Sequence, residues 1–166
     1  MDEPVSGPEF WSRRDSAVLR IPVSAGELLD KITILTIKSR RVRDAGKRSA
    51  ASCELALLKQ AAASLPLANR SEGLAALVER LEDVNAALWD VEDTLRAMER
   101  DEDFGKAFIE AARSVYRLND ERARLKNELN QAVGCPLVEV KEYAEYPSGA
   151  DANPPPLRSA SGARRP

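Results

Sequence analysis

Amide, aromatic and charged side chains recur on one side of two helices that the hydrophobic spacing predicts, and one carboxylate from an earlier helix joins them. The set is Asp30, Asn85, Trp89, Glu92, Tyr116, Asn119, Arg122 and Lys126. Brought together between helices, such groups could bind a small polar molecule. The interpretation favoured is a structural polar layer, because a charged residue within a helix interface often sets register at some cost in stability. The ligand site is the alternative.

The chain contains no histidine, and this absence narrows the chemistry. It excludes Ser-His-Asp and Cys-His triads, HExxH zinc sites and the usual general base near neutral pH. Catalysis would need carboxylates, Lys, Arg, Tyr or a metal held by oxygens. A chorismate-mutase-like site uses only Arg, Lys, Glu and Gln-type groups, so the lack of histidine does not forbid an enzyme, although the chain has no motif of that family.

Carboxylate pairs with metal-ligand spacing are present, but their placement favours a charged helix surface. Glu79-x-x-Glu82 and Asp90-x-x-Asp93 have the spacing by which all-α nucleotide pyrophosphohydrolases hold Mg²⁺ on two neighbouring helices. Here both pairs fall on one predicted helix and point to several sides. The sequence therefore assigns no catalytic residue, metal site or cofactor.

The composition indicates a cytoplasmic protein without general affinity for nucleic acid. The 166 residues carry a net charge of -2, which is unlike a nucleic-acid-binding surface. A weak alternative is that one basic cluster binds phosphate, an anionic lipid surface or RNA. The cluster has neither interleaved aromatic residues nor a Gly-rich phosphate loop, and its members are Lys38, Arg40, Arg41, Arg43, Lys47 and Arg48. No apolar run is long enough to span a bilayer, no signal peptide is evident, and the two cysteines fit reduced thiols.

The apolar spacing predicts two long helices that fold back on each other. Steps of three and four residues connect Leu74, Leu77, Leu81, Val84, Leu88, Val91, Leu95 and Met98. After a short acidic linker at 100–103 the spacing resumes at Phe108, Ala111, Val115, Leu118, Arg122, Leu125, Leu129 and Ala132, and Gly134 ends it. So short a linker favours an antiparallel hairpin over the alternative, a continuous helix that dimerises.

The two sides of this hairpin differ in character. One side is charged and is expected to face solvent: Arg80, Asp83, Asp90, Glu110, Arg117, Glu121, Arg124 and Glu128. The other carries aromatic, amide and alanine side chains, so we expect two earlier helices to cover it. Antiparallel pairing about the linker places Trp89 level with Tyr116, and Asn85 near Asn119 and Arg122.

The first of the earlier helices contains the stretch VSAGELLDKITIL at 23–35. Ser24 and Glu27 fit a capping box that opens a helix running to about Arg43. Glu27 and Lys31 have the order of a favourable surface pair. Asp30 is then left beside apolar residues, so we expect it near Arg122 or Lys126. The second helix is predicted from about Ser49 to Leu65.

The organisation expected is a single helical domain at 17–143 with a flexible segment at 1–16 and a disordered tail at 144–166. The tail is rich in Pro, Ser, Ala and Arg and cannot bury enough apolar surface to offset the entropy of ordering. Two short extended runs, at 17–23 and 137–143, could pair as a small β-ribbon.

Taken together, these segments resemble the bacterial family of unknown function DUF6165 over about residues 19–143. The residues that carry the resemblance are VSAGELLDKITIL at 23–35, Ile37-Lys38, Val84-Asn85, LWDVED at 88–93, Phe108-Ile109, ARSVY at 112–116, Asn119-Asp120, Arg122-Ala123, Leu125-Lys126, Asn130, Leu137-Val138-Glu139, Lys141 and Tyr143. The chain departs from the family pattern at Thr36, where an acidic residue is usual, and at Cys135-Pro136. The resemblance implies a small, cytoplasmic helical protein and singles out the same side of the hairpin, without supplying a substrate.

The fold expected is an all-α antiparallel, coiled-coil-like bundle of three to four helices. The function favoured is a non-enzymatic interaction or self-association module. The alternative is a small-molecule-binding or enzymatic bundle with a polar site between helices. A polar pocket between the first helix and the hairpin would favour ligand binding, whereas a packed layer with an exposed apolar strip would favour association.

Overall fold

The computed structural model describes residues 21–63, 65 and 72–137. These residues form four helices: α1 (Ala25–Arg41), α2 (Ala45–Ala62), α3 (Glu72–Arg100) and α4 (Lys106–Val133). The described part of the chain contains no strand, so the all-α prediction is confirmed. None of the described helices is long and apolar enough to cross a membrane.

The helices α3 and α4 form the antiparallel hairpin that the seams predict. The residues at 101–105 connect them, and Asp103 N–H donates to Met98 O at 2.9 Å as α3 ends. Phe104 and Phe108 pack edge to face there, with ring centroids 5.3 Å apart. Because the chain reverses at this connection, the alternative of one continuous helix is wrong.

The helix α1 lies along the hairpin and contacts both α3 and α4, whereas α2 neighbours only α1 among the described helices. The expectation that two helices cover the hairpin is therefore wrong for α2. The reason is the short link at 42–44, which returns α2 antiparallel beside α1. Lys31 Nζ and Glu54 Oε1, 2.6 Å apart, join these two helices.

The helix boundaries follow from caps, one of which the sequence prediction missed. Ser24 Oγ accepts from Glu27 N–H at 3.2 Å and starts α1, as predicted. Asp44 Oδ1 accepts from Lys47 N–H at 2.7 Å, so α2 begins at Ala45 instead of Ser49. Gly134 ends α4 in the left-handed conformation, with φ 71°.

The core lies at the end of the hairpin away from its connection, where α1 packs against the hairpin and α2, packed on α1, adds Ala51, Leu55 and Ala62 to the buried cluster. Its fully buried centre contains Leu81, Leu125 and Leu129, all three from the predicted seams. Leu95, Met98 and Phe108, near the connection, are only half-buried. The hydrophobic core is therefore more deeply buried at the end away from the connection than near it.

The charged side of the hairpin faces solvent, as predicted. Glu121 Oε1 receives hydrogen bonds from Arg124 Nη2 at 2.5 Å and from Arg80 Nη2 at 3.1 Å. The Arg124 hydrogen bond is the main cause that lowers the pKa of the Glu121 carboxyl. A lowered pKa means that this contact stabilises the fold above the carboxyl's ordinary pKa and that the stabilisation is lost as pH falls. Because these groups are solvated, the contribution is small.

The predictions for the chain ends fall mostly outside the described residues. The segment at 1–16 and the tail at 144–166 both lie there. Of the two runs predicted to pair as a ribbon, the described residues are 21–23 and 137, and none of them is in a strand.

Candidate functional site

Asp30 lies at the centre of the contact between α1 and the hairpin. The residue is 3% exposed. Its Oδ1 accepts from Arg122 Nε at 2.7 Å, and its Oδ2 accepts from Arg122 Nη2 at 2.5 Å, which is a bidentate pair. The prediction that Asp30 lies near Arg122 is confirmed. The pair joins α1 to α4 across the face that α1 covers.

Asn85 and Thr33 complete this polar layer. Asn85 Nδ2 donates to Asp30 Oδ1 and to Thr33 Oγ1, both at 2.9 Å. Thr33 Oγ1 donates in turn to Asp30 O at 2.8 Å. Asp30 thus accepts three side-chain hydrogen bonds in a buried setting, so its carboxylate is already satisfied and unsuited to act as a general base. The layer fastens α1, α3 and α4 together.

A second set of contacts holds the N-terminus of α1 against α4. Gly26 N–H donates to Asn130 Oδ1 at 2.7 Å, and Lys126 Nζ lies 2.5 Å from Glu27 Oε1. A Cβ on Gly26 would stand 2.4 Å from Lys126 O, so only glycine permits this approach. The predicted surface pair between Glu27 and Lys31 is wrong, because Glu27 contacts Lys126 and Lys31 contacts Glu54.

A cleft of about 500 Å³ opens beside the polar layer, between the C-terminal half of α1 and the hairpin. Asn85 and Arg122 belong to both the layer and the cleft wall. The lining residues are Ile34, Lys38, Asn85, Leu88, Trp89, Glu92, Asp93, Arg96, Asn119 and Arg122. This volume is in the range of small-molecule sites in proteins.

Two hydrogen-bond donors in the cleft have no acceptor among the described residues: the Lys38 ammonium and the Trp89 indole N–H. The other basic side chains of α1 are paired. Lys31 contacts Glu54, and the remaining two bind carboxylates of α3, Arg40 to Glu82 at 2.7 Å and Arg41 to Asp90. Lys38 is the exception, and it faces the cleft.

The carboxylates at the rim of the cleft are engaged with an arginine on the same helix. Arg96 Nη2 lies 2.9 Å from Glu92 Oε2, and Arg96 Nη1 lies 3.3 Å from Asp93 Oδ1. All three side chains are largely exposed. They therefore form a solvated edge, while Ile34, Leu88 and Trp89 provide the apolar surface of the cleft.

The structure brings most of the predicted site residues to this interface. Asn85, Trp89, Glu92, Asn119 and Arg122 line the cleft, Asp30 lies in the polar layer, and Lys126 lies beyond it toward Gly26. Tyr116 is outside the cleft lining and 37% exposed, with the Arg117 guanidinium carbon 5.9 Å from its ring centroid. Whether any of these residues binds a ligand stays a prediction.

Sequence reasoning missed Thr33, Ile34 and Lys38. Thr33 follows Asp30 by three residues and so shares its side of α1, a spacing that could have indicated it. Ile34 follows Asp30 by four residues and shares that side too, and Lys38 belongs to the predicted basic cluster. The partner of each of these residues depends on which charged residue faces it across the helix interface. That alignment could not be known before the fold was known.

The family model of DUF6165, a family of unknown function, matches residues 19–156. This chain belongs to that family. The DUF6165 match extends beyond residue 143, where the resemblance had been placed, into the segment predicted to be a disordered tail. The comparisons with curated proteins and with solved structures each return no match.

Several residues of the remaining candidate chemistry of this DUF6165 chain form contacts within or between helices. Glu82 and Asp90, from the two pairs with metal-ligand spacing, bind arginines of α1. Arg48 of the basic cluster donates to Val42 O at 2.9 Å. Within the described residues, no group of carboxylate and cysteine side chains is placed to hold a metal ion. The cleft is therefore the best candidate site in this part of the chain.

Proposed function

We propose that this protein binds a small molecule in the cleft between α1 and the hairpin and does not transform it. The observation that carries the proposal is the pair of donors without acceptors, Lys38 and Trp89, in a cleft of about 500 Å³ with an apolar wall. Lys38 is exposed and Trp89 is half-buried, so a ligand that supplies acceptors would replace water on these donors while it covers the apolar wall.

A binding role is favoured over catalysis because the nearby carboxylates are engaged. Asp30 accepts three side-chain hydrogen bonds, and Glu92 and Asp93 are paired with Arg96 at an exposed rim. General acid–base catalysis requires a group that can take and release a proton beside the ligand. The arrangement supports recognition by fixed groups more than proton transfer.

The test is a thermal-shift screen of the full chain against a broad panel of metabolites. A ligand present at a hundred times its Kd stabilises the folded state by about 2.7 kcal/mol. For a domain of this size that corresponds to a rise in Tm of roughly 5 to 10 °C. We expect at least one class of compound to produce such a shift.

Two variants show whether a stabilising compound occupies the cleft. Trp89→Leu removes the aromatic wall and should abolish the shift. Phe104→Leu removes a half-exposed aromatic ring at the hairpin connection, outside the cleft, and should leave the shift intact. A panel that stabilises nothing, or a shift that survives Trp89→Leu, contradicts the proposal.

Self-association of the chain is a second candidate, supported by apolar side chains near the hairpin connection. Phe104 and Ile109 are 52% and 53% exposed. Ile109 and Tyr116 lie on the same side of α4 as Ala123, which α1 covers. A second copy could cover them as α1 covers the rest. The mass in solution tests this, with Ile109→Lys as the disrupting variant, and a monomer at high concentration would contradict it.

The setting proposed is the cytoplasm of a bacterial cell. Cys53 and Cys135 are both free thiols in the structure, as expected in a reducing compartment. Fractionation of the native host, followed by detection of the chain in the soluble cytoplasmic or the membrane fraction, tests the location.

A further inference from the structure

We propose that the ligand of the cleft is a singly charged carboxylate attached to a planar apolar ring, an inference that rests on the proposed function. The carboxylate would accept a hydrogen bond from the Lys38 ammonium. The ring would lie against Trp89 and the neighbouring aliphatic side chains, Ile34 and Leu88.

The charge of the ligand is inferred from the cations that line the cleft. Lys38 forms no ion pair among the described residues, whereas the other basic side chains of α1 each form one. Arg122 also lines the wall and is paired with Asp30 on the side next to the polar layer. An anion bound by Lys38 would form the ion pair that this side chain lacks among the described residues.

The planar part is inferred from the apolar wall. Trp89 and Ile34 are half-buried and Leu88 is buried, so these side chains present fixed surface to the cleft. Stacking on an indole favours flat, conjugated ligands over branched aliphatic ones. The Trp89 N–H adds a donor beside this surface, which suits a ligand with acceptors near its ring.

A single negative charge is favoured because carboxylates of the protein line the same cleft. Glu92 and Asp93 share one arginine, Arg96, so the rim keeps an excess of negative charge. A phosphate monoester, which is close to doubly charged at neutral pH, would be repelled more strongly than a carboxylate. The rim thus discriminates between two anions that Lys38 alone would accept.

The experiment follows the indole N–H signal of Trp89 in ¹⁵N-labelled full-length protein during titration with defined probes. The chain has two tryptophans, so the loss of one signal in Trp89→Phe assigns it. The probes are 2-naphthoate, its neutral analogue 2-naphthamide, and 2-naphthyl phosphate. We expect 2-naphthoate to shift the signal and 2-naphthamide to bind about tenfold more weakly, the weight of one hydrogen bond to a charged group. We expect 2-naphthyl phosphate to bind more weakly as well, because the rim carboxylates repel its second charge.

Matched variants identify the residue that recognises the charge. Lys38→Met keeps most of the aliphatic stem and should weaken 2-naphthoate about tenfold while leaving 2-naphthamide unchanged. Lys47→Met removes an exposed lysine outside the cleft and should change neither. Equal titration by the acid and the amide, or equal effects of the two variants, overturns the proposal.

The remaining outcomes separate this inference from the proposed function. Tighter binding of 2-naphthyl phosphate than of 2-naphthoate would overturn the preference for a single charge. If no probe shifts the Trp89 signal but the metabolite panel yields a stabilising compound that Trp89→Leu abolishes, the ligand class is wrong and cleft binding stands. If the panel yields nothing either, both proposals fail.

Discussion

The two ends of α1 meet the same hairpin in opposite ways. At the N-terminal end, Gly26 and Asp30 bring α1 into direct hydrogen-bonded contact with α4. At the C-terminal end, Ile34 and Lys38 stand over a cleft of about 500 Å³. One helix thus provides a closed interface and an open one.

The difference shows how the size of a single side chain can set the shape of an interface. Glycine at position 26 lets the α1 backbone approach Lys126 O more closely than any Cβ would permit. Further along α1, the larger side chain of Ile34 and the half-buried Trp89 of α3 line the cleft. The closed, N-terminal end of α1 therefore stabilises the fold. At the open, C-terminal end, the apolar surface and the hydrogen-bond donors of the cleft stay accessible to a ligand.

The largest effect is expected from Arg122→Leu, which removes the cation from the closed end. Asp30 is left buried with only Asn85 as a side-chain donor, so we expect a loss of about 3 kcal/mol in the free energy of unfolding, measured with urea. The matched control is Arg96→Leu, whose side chain is 67% exposed and paired at the surface, and it should cost less than about 1 kcal/mol.

A double-mutant cycle checks that this loss comes from the ion pair. Asp30→Leu/Arg122→Leu removes both charges and should be clearly less destabilised than the sum of its single variants, with a coupling of about 2 kcal/mol. If Arg122→Leu unfolds at the same urea concentration as the parent, the closed end is not held by this pair and the contrast between the two ends is lost.

An intermediate effect is expected from Gly26→Ala, which adds a Cβ at the point of closest approach. The atom met is a backbone oxygen, Lys126 O at 2.4 Å, so the helices must separate. We expect a loss of about 1–3 kcal/mol by thermal or urea unfolding. Gly46→Ala is the control, because its Cβ would meet only Asp44 Oδ1 at 3.4 Å in exposed helix. Equal stability of the two variants would contradict the close-packing explanation.

The smallest effect is expected at the open end. Lys38→Met removes an exposed charge without a partner among the described residues, so its free energy of unfolding should stay within about 0.5 kcal/mol of the parent. Lys126→Met makes the same change in a buried side chain paired with Glu27 and should cost about 1 to 2 kcal/mol. Equal losses would mean that Lys38 has a structural role and that the two ends are alike.

Much of the fold could be predicted from local patterns. The seam residues Leu81, Leu125 and Leu129 are fully buried, and Gly134 ends α4, because a repeat of three and four residues specifies the buried side of a helix by itself. The start of α2 was missed because Asp44, which lies among the residues of the basic cluster, was not recognised as an N-cap. The sequence could not predict that α2 packs on α1 and not on the hairpin. An apolar pattern shows which face of a helix is buried, but not which neighbouring helix buries it.

The candidate site was predictable only in part, for the same reason. Asp30 was expected near Arg122 because a carboxylate on the covered side of α1 needs a partner, and burial of an unpaired charge is costly. The contribution of Thr33 and Lys38 to the site, and the position of Tyr116 outside it, depend on how far α1 extends along the hairpin. That overlap is a property of the assembled helices.

The sequence by itself determined the helices, the hairpin and the polar side on which a site would lie, since these follow from spacing along one chain. Only the tertiary structure decided that this side is closed around Asp30 and open around Lys38. The physical reason is that hydrogen bonds and gaps between helices depend on distances across the interface. Gly26 permits the close approach at one end of α1, and Ile34 and Trp89 line the cleft at the other.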